Sequence, residues 1–420
     1  MSTEEKTKLV PKLRFPEFRD AAPWQPVSLG EASIPVTERV GTKKLTPVSI
    51  SAGIGFVPQA EKFGRDISGN QYQLYTLVKD GDFVYNKGNS LKFPEGCIYL
   101  LQGWGEVAAP NVFICFRLKS DYSNGFFQNC FESNAHAKQL KKHITSGARS
   151  NGLLNISKDA FFGVEIPTPS SKEQQKIADC LSSLDELIAA QARKVEVLKT
   201  HKKGLMQQFF PREGETQPRL RFPEFQNTGD WGEQSVGDFG KVVTGNTPST
   251  AQPSFYGGGI PFASPADISD LRFVDQTKTT LTPEGFAETR PIRAGSVLFV
   301  CIGSTIGKVA QNKRDCATNQ QINAVVPNSK HSDSFVYFAL SLASERISVL
   351  AGRQAVPIIN KSLFSSVRIL APNLSEQQRI ASCLGRLDRL ITAETQKLDT
   401  LKTHKKGLMQ QLFPRVENSI

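Results

Sequence analysis

EQQKIADCLSSLDELIAAQARKVEVLKTHKKGLMQQFFP, beginning at Glu173, and EQQRIASCLGRLDRLITAETQKLDTLKTHKKGLMQQLFP, beginning at Glu376, are two versions of one segment. They align without a gap, about two-thirds of their positions are identical, and a repeat of this strength governs the reading of the whole chain. LKTHKKGLMQQ recurs unchanged from Leu198 and from Leu401. Apolar residues step by three and four through Ile177, Leu181, Leu184, Ile188, Val195, Leu198 and Leu205. The second copy repeats the pattern through Ile380, Leu384, Leu387, Ile391, Leu398, Leu401 and Leu408. Such a sustained seam predicts two long coiled-coil helices. Ser171-x-x-Gln174 and Ser375-x-x-Gln378 read as capping boxes at their starts. Pro211 and Pro414 end them, behind basic clusters (Lys199, Lys202, Lys203; Lys402, Lys405, Lys406) suited to the negative end of a helix dipole. A helix of about 37 residues is roughly 55 Å long. That equals on the order of 16 base pairs of duplex. Two such helices lying antiparallel would act as a ruler between the regions that precede them.

Polar residues interrupt both seams at equivalent places, Gln191 and Glu394, then Lys202 and Lys405. Antiparallel packing would bring Gln191 and Glu394 together. Two readings stand: a buried polar pair that fixes register, or a seam that is solvated there.

The duplication extends upstream of each helix. PKLRFPEF from Pro11 returns as PRLRFPEF from Pro218, a tryptophan follows each (Trp24, Trp231), and then a Ser-apolar-Gly triplet (Ser28-Leu29-Gly30, Ser235-Val236-Gly237). The chain divides into an N-terminal arm (1–23), a first variable region (24–170), a spacer helix (171–211), a linker repeating the arm (212–230), a second variable region (231–373), a second spacer helix (374–414) and a tail (415–420). Ends that resemble the middle imply a cyclic, pseudo-twofold arrangement. The variable regions share a skeleton. GDFVYNKG from Gly81 and GSVLFVCIG from Gly295 read as strands, as do the segments around Asn111 and Asn319. A Gly-to-Asn loop closes each region (Gly147 to Asn155; Gly352 to Asn360), and a helical stretch spans Ser334–Leu350. The expected fold is therefore α+β, with two homologous domains separated by long antiparallel helices.

The 420 residues carry a net charge of +11, and the pI is near 9.2. That excess favours polyanions, because neutralising phosphates releases counterions. A mean hydropathy of −0.29 fits a globular chain. No run of about 18 apolar residues occurs, which predicts no membrane span. MSTEEKTKLVPKLRF lacks an apolar signal region, which points to the cytoplasm. Seven scattered cysteines, with no C-x-x-C pair, and five dispersed histidines predict neither disulfides nor a metal site.

The doubled EQQ-[KR]-IA helix, the LMQQ-[FL]-FP ends, the LRFPEF arm and the stretches GSTIGKV and GRQAVPIIN together resemble the type I restriction–modification specificity-subunit family. The resemblance covers nearly the whole chain. It implies two target-recognition domains reading a bipartite double-stranded DNA site, and helices that dock two modification (methyltransferase) subunits, which restriction subunits then join. It also implies S-adenosylmethionine in the modification subunit and no cofactor on this chain. The variable regions match only in skeleton, so no target sequence carries over.

Catalytic motifs are missing. A methyltransferase should carry [DN]-P-P-[YF] and a Gly-rich cofactor loop, and neither occurs. GSTIGKV from Gly303 looks like a phosphate loop, but its glycines are too close and Val309 stands where Ser or Thr should hold magnesium. It reads as a strand-end turn, or as a turn whose Ser304 and Thr305 amides and Lys308 touch a DNA phosphate. Asp82 and Asp267 sit in turn-like contexts. The basic run KQLKKH from Lys138 would track phosphates or only keep the protein soluble. Direct readout needs Arg, Lys, Asn or Gln on loops. The candidates are Lys87, Asn89, Lys92, Arg149 and Asn151 in the first region, with Ser304, Thr305, Lys308, Gln320 and Arg353 in the second. The competing reading is a coiled-coil assembly protein that binds partners without nucleic acid. A self-sufficient methyltransferase lacks its motifs.

Overall fold

The computed structural model describes residues 9–88, 93–144, 154–352 and 356–414. The chain forms two compact units, one of Met1–Ala190 with Leu398–Ile420 and one of Gln191–Lys397. Each is mixed α+β, and the two share a plan. In the first, Gln25–Ser28 pairs antiparallel with Glu165–Thr168, the strand that leads into the first long helix. In the second, Gly232–Ser235 pairs in the same sense with Arg368–Ala371, which leads into the second. The first unit also holds two four-stranded sheets, and the second a five-stranded and a three-stranded sheet. The duplicated skeleton is visible strand by strand: Asp82–Asn86 and Ile114–Leu118 pair antiparallel in one unit, Val297–Val300 and Ile322–Pro327 in the other.

The long helices run Ser171–Phe209 and Leu374–Leu412, 39 residues each. All fourteen seam residues named from the sequence are buried or half-buried. They do not form one continuous helix-to-helix stripe, however. Ile177 and Leu181 belong to the core of the first unit, together with Leu412, and Leu408 packs against that core. Ile380 and Leu384 belong to the core of the second, with Leu205 packed against it. Helix ends that bury their apolar faces on a domain explain why each compact unit takes in half of each long helix and is larger than the variable region read from the sequence. Within the second unit Gln191 Nε2 donates to the Glu394 carboxylate at 2.7 Å and to its backbone carbonyl at 2.9 Å. Lys202 meets Asp388 at 2.5 Å. As one number rises the other falls, so these segments are antiparallel. In the first unit Lys405 meets Asp185 at 2.7 Å, the repeat-related counterpart of Lys202 with Asp388.

The capping boxes read from sequence are corrected. Ser170 Oγ accepts from Glu173 N at 3.4 Å, and Asn373 Oδ1 accepts from Glu376 N at 3.0 Å, so each cap lies one or two residues earlier than expected. Gln174 has another partner, and Gln378 is exposed while its neighbour Gln377 takes the place equivalent to Gln174. Gln174 Oε1 accepts from Ser123 N and Gln377 Oε1 from Ser332 N, tying each helix start to a neighbouring helix in its own domain.

Glu173 and Glu376 hold the arms. Arg14 reaches Glu173 through Nε and Nη2 at 2.7 Å each, and Trp24 Nε1 donates to the same carboxylate at 3.3 Å. Arg221 and Trp231 repeat the arrangement on Glu376 at 2.8, 2.8 and 3.3 Å. The side chains of Glu173 and Glu376 are each 1% exposed, and those of the arginines 7%. Two-pronged guanidinium contacts of this kind satisfy both carboxylate oxygens. This explains why LRFPEF and EQQ recur together.

Candidate nucleic-acid interface

In the second unit Gly240–Thr244, Val297–Val300 and Ile322–Pro327 are adjacent antiparallel strands. Their register puts Gly245–Thr247, the turn after Val300 and Asn319–Gln321 at one end of the sheet. Long-range bonds lock these segments. Cys301 N donates to Gln321 O at 2.8 Å, Gly303 N to Pro357 O at 3.0 Å and Gly245 N to Ile322 O at 3.1 Å. Thr247 Oγ1 donates to Gln320 Oε1 at 2.9 Å, and Asn319 Nδ2 to Gln321 Oε1 at 2.9 Å. Gly245 is required here: a Cβ would stand 2.2 Å from Thr318 O.

The GSTIG turn joins two antiparallel strands, Val297–Val300 and Val309–Asn312. No helix follows it, so it lacks the N-terminal amides that make a phosphate loop. Gly303 and Gly307 both adopt left-handed φ, at 96° and 91°. Ser304 is exposed and Thr305 half-buried at the tip. Of the sequence candidates in this unit, Ser304, Thr305 and Gln320 therefore come to one sheet end. Lys308 does so only in part, because its ammonium is held by Ile268 O at 3.2 Å. Arg353 lies outside the described residues. Asn246 and Thr247 were missed, although the Gly-Asn-Thr that follows GKVVT was a usable turn signal.

In the first unit Thr46–Ser51 and Glu106–Ala109 run parallel towards the end where Asp82–Asn86 finishes. Asn86 Nδ2 donates to Ile50 O at 2.9 Å across that end. Lys87 lies there, but its ammonium meets Ile156 O at 3.3 Å and its own carbonyl accepts from Leu154 N at 2.9 Å. Asn89, Lys92, Arg149 and Asn151 lie outside the described residues. Asn111, exposed in the turn after Glu106–Ala109, is the counterpart of Gln320 and was not chosen from sequence. At the same end the hairpin Thr46–Pro58 turns through Ser51–Gly55.

Two acids read as turn-like differ. Asp267 does stabilise a turn, accepting from Ser264 N at 2.9 Å and Ser264 Oγ at 2.7 Å. Asp82 instead opens a strand, fully buried, and pairs with Arg117 at 2.6 Å. The basic run from Lys138 forms the short helix Ala137–Lys141. Burial pushes the thiols of Cys97, Cys115, Cys301 and Cys316 up, to about 11 for the first and about 12 for the others, which makes them poor nucleophiles. Among the described residues no group of three His, Cys, Asp or Glu side chains is placed to hold a metal ion. No helix among them is long and apolar enough to cross a membrane.

A family model described as the type I restriction modification DNA specificity domain matches residues 67–200 and 228–403. The specificity subunit of the HindI type I restriction enzyme of Haemophilus influenzae is 31% identical over 148 residues, 34% of this chain and 32% of that protein. The putative MjaX specificity subunit of Methanocaldococcus jannaschii is 25% identical over 297 residues, 66% of this chain and 64% of that protein. The chain thus spans from just under a third to just under two thirds of these relatives' lengths. Among solved structures, the S subunit of a type I restriction-modification system from M. genitalium aligns with a TM-score of 0.63 at 13% identity, covering 97% of this chain and 100% of that one. A chain from a structure of type I R-M complex assembly aligns at 0.54 and 20% identity, covering 93% and 97%. These two likenesses concern the fold alone.

Proposed function

Because the chain belongs to the type I restriction–modification DNA specificity family, we propose that it is the sequence-reading, non-catalytic subunit of a cytoplasmic methyltransferase–endonuclease complex. Each unit reads one half of a bipartite double-stranded DNA target with the loops at its sheet end. The observation that carries this reading is the family match in both halves of a duplicated chain, together with unlike loops (Gly245–Thr247 and Asn319–Gln321 in one unit, Ser51–Gly55 and Asn111 in the other) at the sheet ends of a shared skeleton. One scaffold with two different surfaces suits two different half-sites. The charge of +11 supplies the sequence-independent attraction to phosphates.

The two long helices form an antiparallel coiled coil whose length governs the gap between half-sites, with Gln191 and Glu394 fixing its register. Their outer faces dock two modification subunits, and restriction subunits join that core. S-adenosylmethionine belongs to the modification subunits; this chain binds no cofactor. The chain assembled with its modification subunits should protect two separated clusters of base pairs in a footprint, with affinity that falls steeply with salt. A complex that retains no duplex at low salt would leave the scaffold reading in its place.

A further inference from the structure

The hairpin Thr46–Pro58 carries at its turn the segment Ser51-Ala52-Gly53-Ile54-Gly55. Ile54 is 76% exposed, an isoleucine held in water at the end to which Asp82–Asn86 and Thr46–Ser51 both run. The tip is rigidly held. Gly53 N donates to Tyr99 Oη at 2.6 Å, Ile54 N to Ser51 O at 3.0 Å and Asn86 Nδ2 to Ile50 O at 2.9 Å. Lys62 Nζ adds a bond to Ser49 Oγ at 3.0 Å. Gly53 and Gly55 both take left-handed φ, at 83° and 97°, so the turn conformation is built into the sequence. A second exposed apolar residue, Val112, follows Asn111 in the turn at the same end.

The chemistry of this tip differs in kind from that of the second unit's loops. It offers branched carbon, not donors or acceptors, on a fixed two-stranded ribbon. The major groove of B-DNA admits such a ribbon, and the feature there that an aliphatic side chain recognises is the 5-methyl group of thymine. Burying an exposed isoleucine against that methyl is favourable, and cytosine has only a hydrogen at that carbon, with the polar N4 donor beside it. Resting on the DNA-reading role proposed above, we propose that the hairpin enters the major groove of the half-site read by the first unit and that Ile54 selects a thymine there by its methyl group.

The test uses the full chain assembled with its modification subunits, on a duplex whose target has been mapped by methylation in cells. Each thymine is replaced in turn by deoxyuridine, which removes only the methyl. The wild-type complex should lose three- to tenfold in affinity at one thymine of the first half-site. The Ile54→Ala complex should bind the unmodified duplex more weakly by a similar factor and no longer respond to that replacement, with Ile54→Val between the two. Its response to substitutions in the other half-site should match wild type, which reports an intact fold. Ile54→Ala with undiminished affinity, a wild-type complex indifferent to every deoxyuridine, or a first half-site without an A·T pair overturns the assignment of Ile54 while leaving DNA reading intact. A wild-type complex that binds no duplex overturns both.

Discussion

Replacing Glu376 by alanine removes the acceptor of the buried contacts that fasten the linker arm to the second long helix. Arg221 then keeps its charge with a side chain only 7% exposed and loses both bonds to the carboxylate. Its remaining partners are Gly229 O at 2.7 Å and Thr228 Oγ1 at 2.7 Å, which stabilise the charge less than an anion does. Removing one member of a buried ion pair costs about 3–5 kcal/mol. The guanidinium touches solvent at its edge, which favours the lower end, and Trp231 Nε1 losing its acceptor adds about 1 kcal/mol. The expected loss is therefore about 3–4 kcal/mol, most of which the double replacement Arg221→Met with Glu376→Leu should restore. Urea unfolding followed by tryptophan fluorescence reads it, since Trp231 sits in the perturbed cluster. The duplication gives an internal control: Glu173→Ala breaks the same contacts to Arg14 and Trp24 and should cost as much. A loss below about 1 kcal/mol at either site would refute the claim that these contacts fasten the arms.

Burial lowers His136 to about 4, against a smaller opposing effect of the Gly96 backbone. A folded pKa below the unfolded one means full stability above about 6.5, lost as pH falls from there towards 4, by up to about 3 kcal/mol. His136→Leu should abolish most of the difference in melting temperature between pH 7.5 and 5, and equal acid sensitivity in both proteins would contradict this. Arg272, packed on Phe273, Tyr337 and Phe338 and bonded to Gln311, Ser334 and Asp388, ties the segment before the strand Phe273–Val274 to the second long helix. Arg272→Ala should destabilise the second unit by about 2–4 kcal/mol in urea, and Arg272→Lys should not rescue it, because lysine lacks the planar fork. The Gln191 amide, and then Lys194, hold the Glu394 carboxyl below its ordinary range. Gln191→Leu should move its titration upward in a carboxyl-carbon NMR experiment, and an unmoved titration counts against the cross-helix contact.

The long helices were legible because their evidence is local and doubled: a 3-and-4 apolar step, terminal prolines and a gapless second copy. Even there, sequence spacing misassigned what the apolar residues face. Ile177 and Leu181 look like part of one seam, yet they complete a domain core. The capping boxes failed because Ser170 and Asn373 do that work, while Gln174 and Gln377 answer to residues far upstream. The candidate interface was less legible still, because its parts meet only through long-range pairing, as Gly303 does with Pro357 and Thr247 with Gln320. Lys87 and Lys308 read as available cations in sequence, but each is held by a carbonyl 69 or 40 positions away. The arginine–glutamate–tryptophan clusters had a signal that went unused: opposite charges repeating in step across both halves.

In the proposed function, the two long helices set the distance between the two half-sites. Equal insertions of four residues, about one helical turn, into both helices, in cells carrying the modification subunits, followed by mapping of methylated sites, test that directly. The two half-sequences should persist with a longer gap between them. Methylation at the original spacing by a stably folded, assembled variant would contradict it.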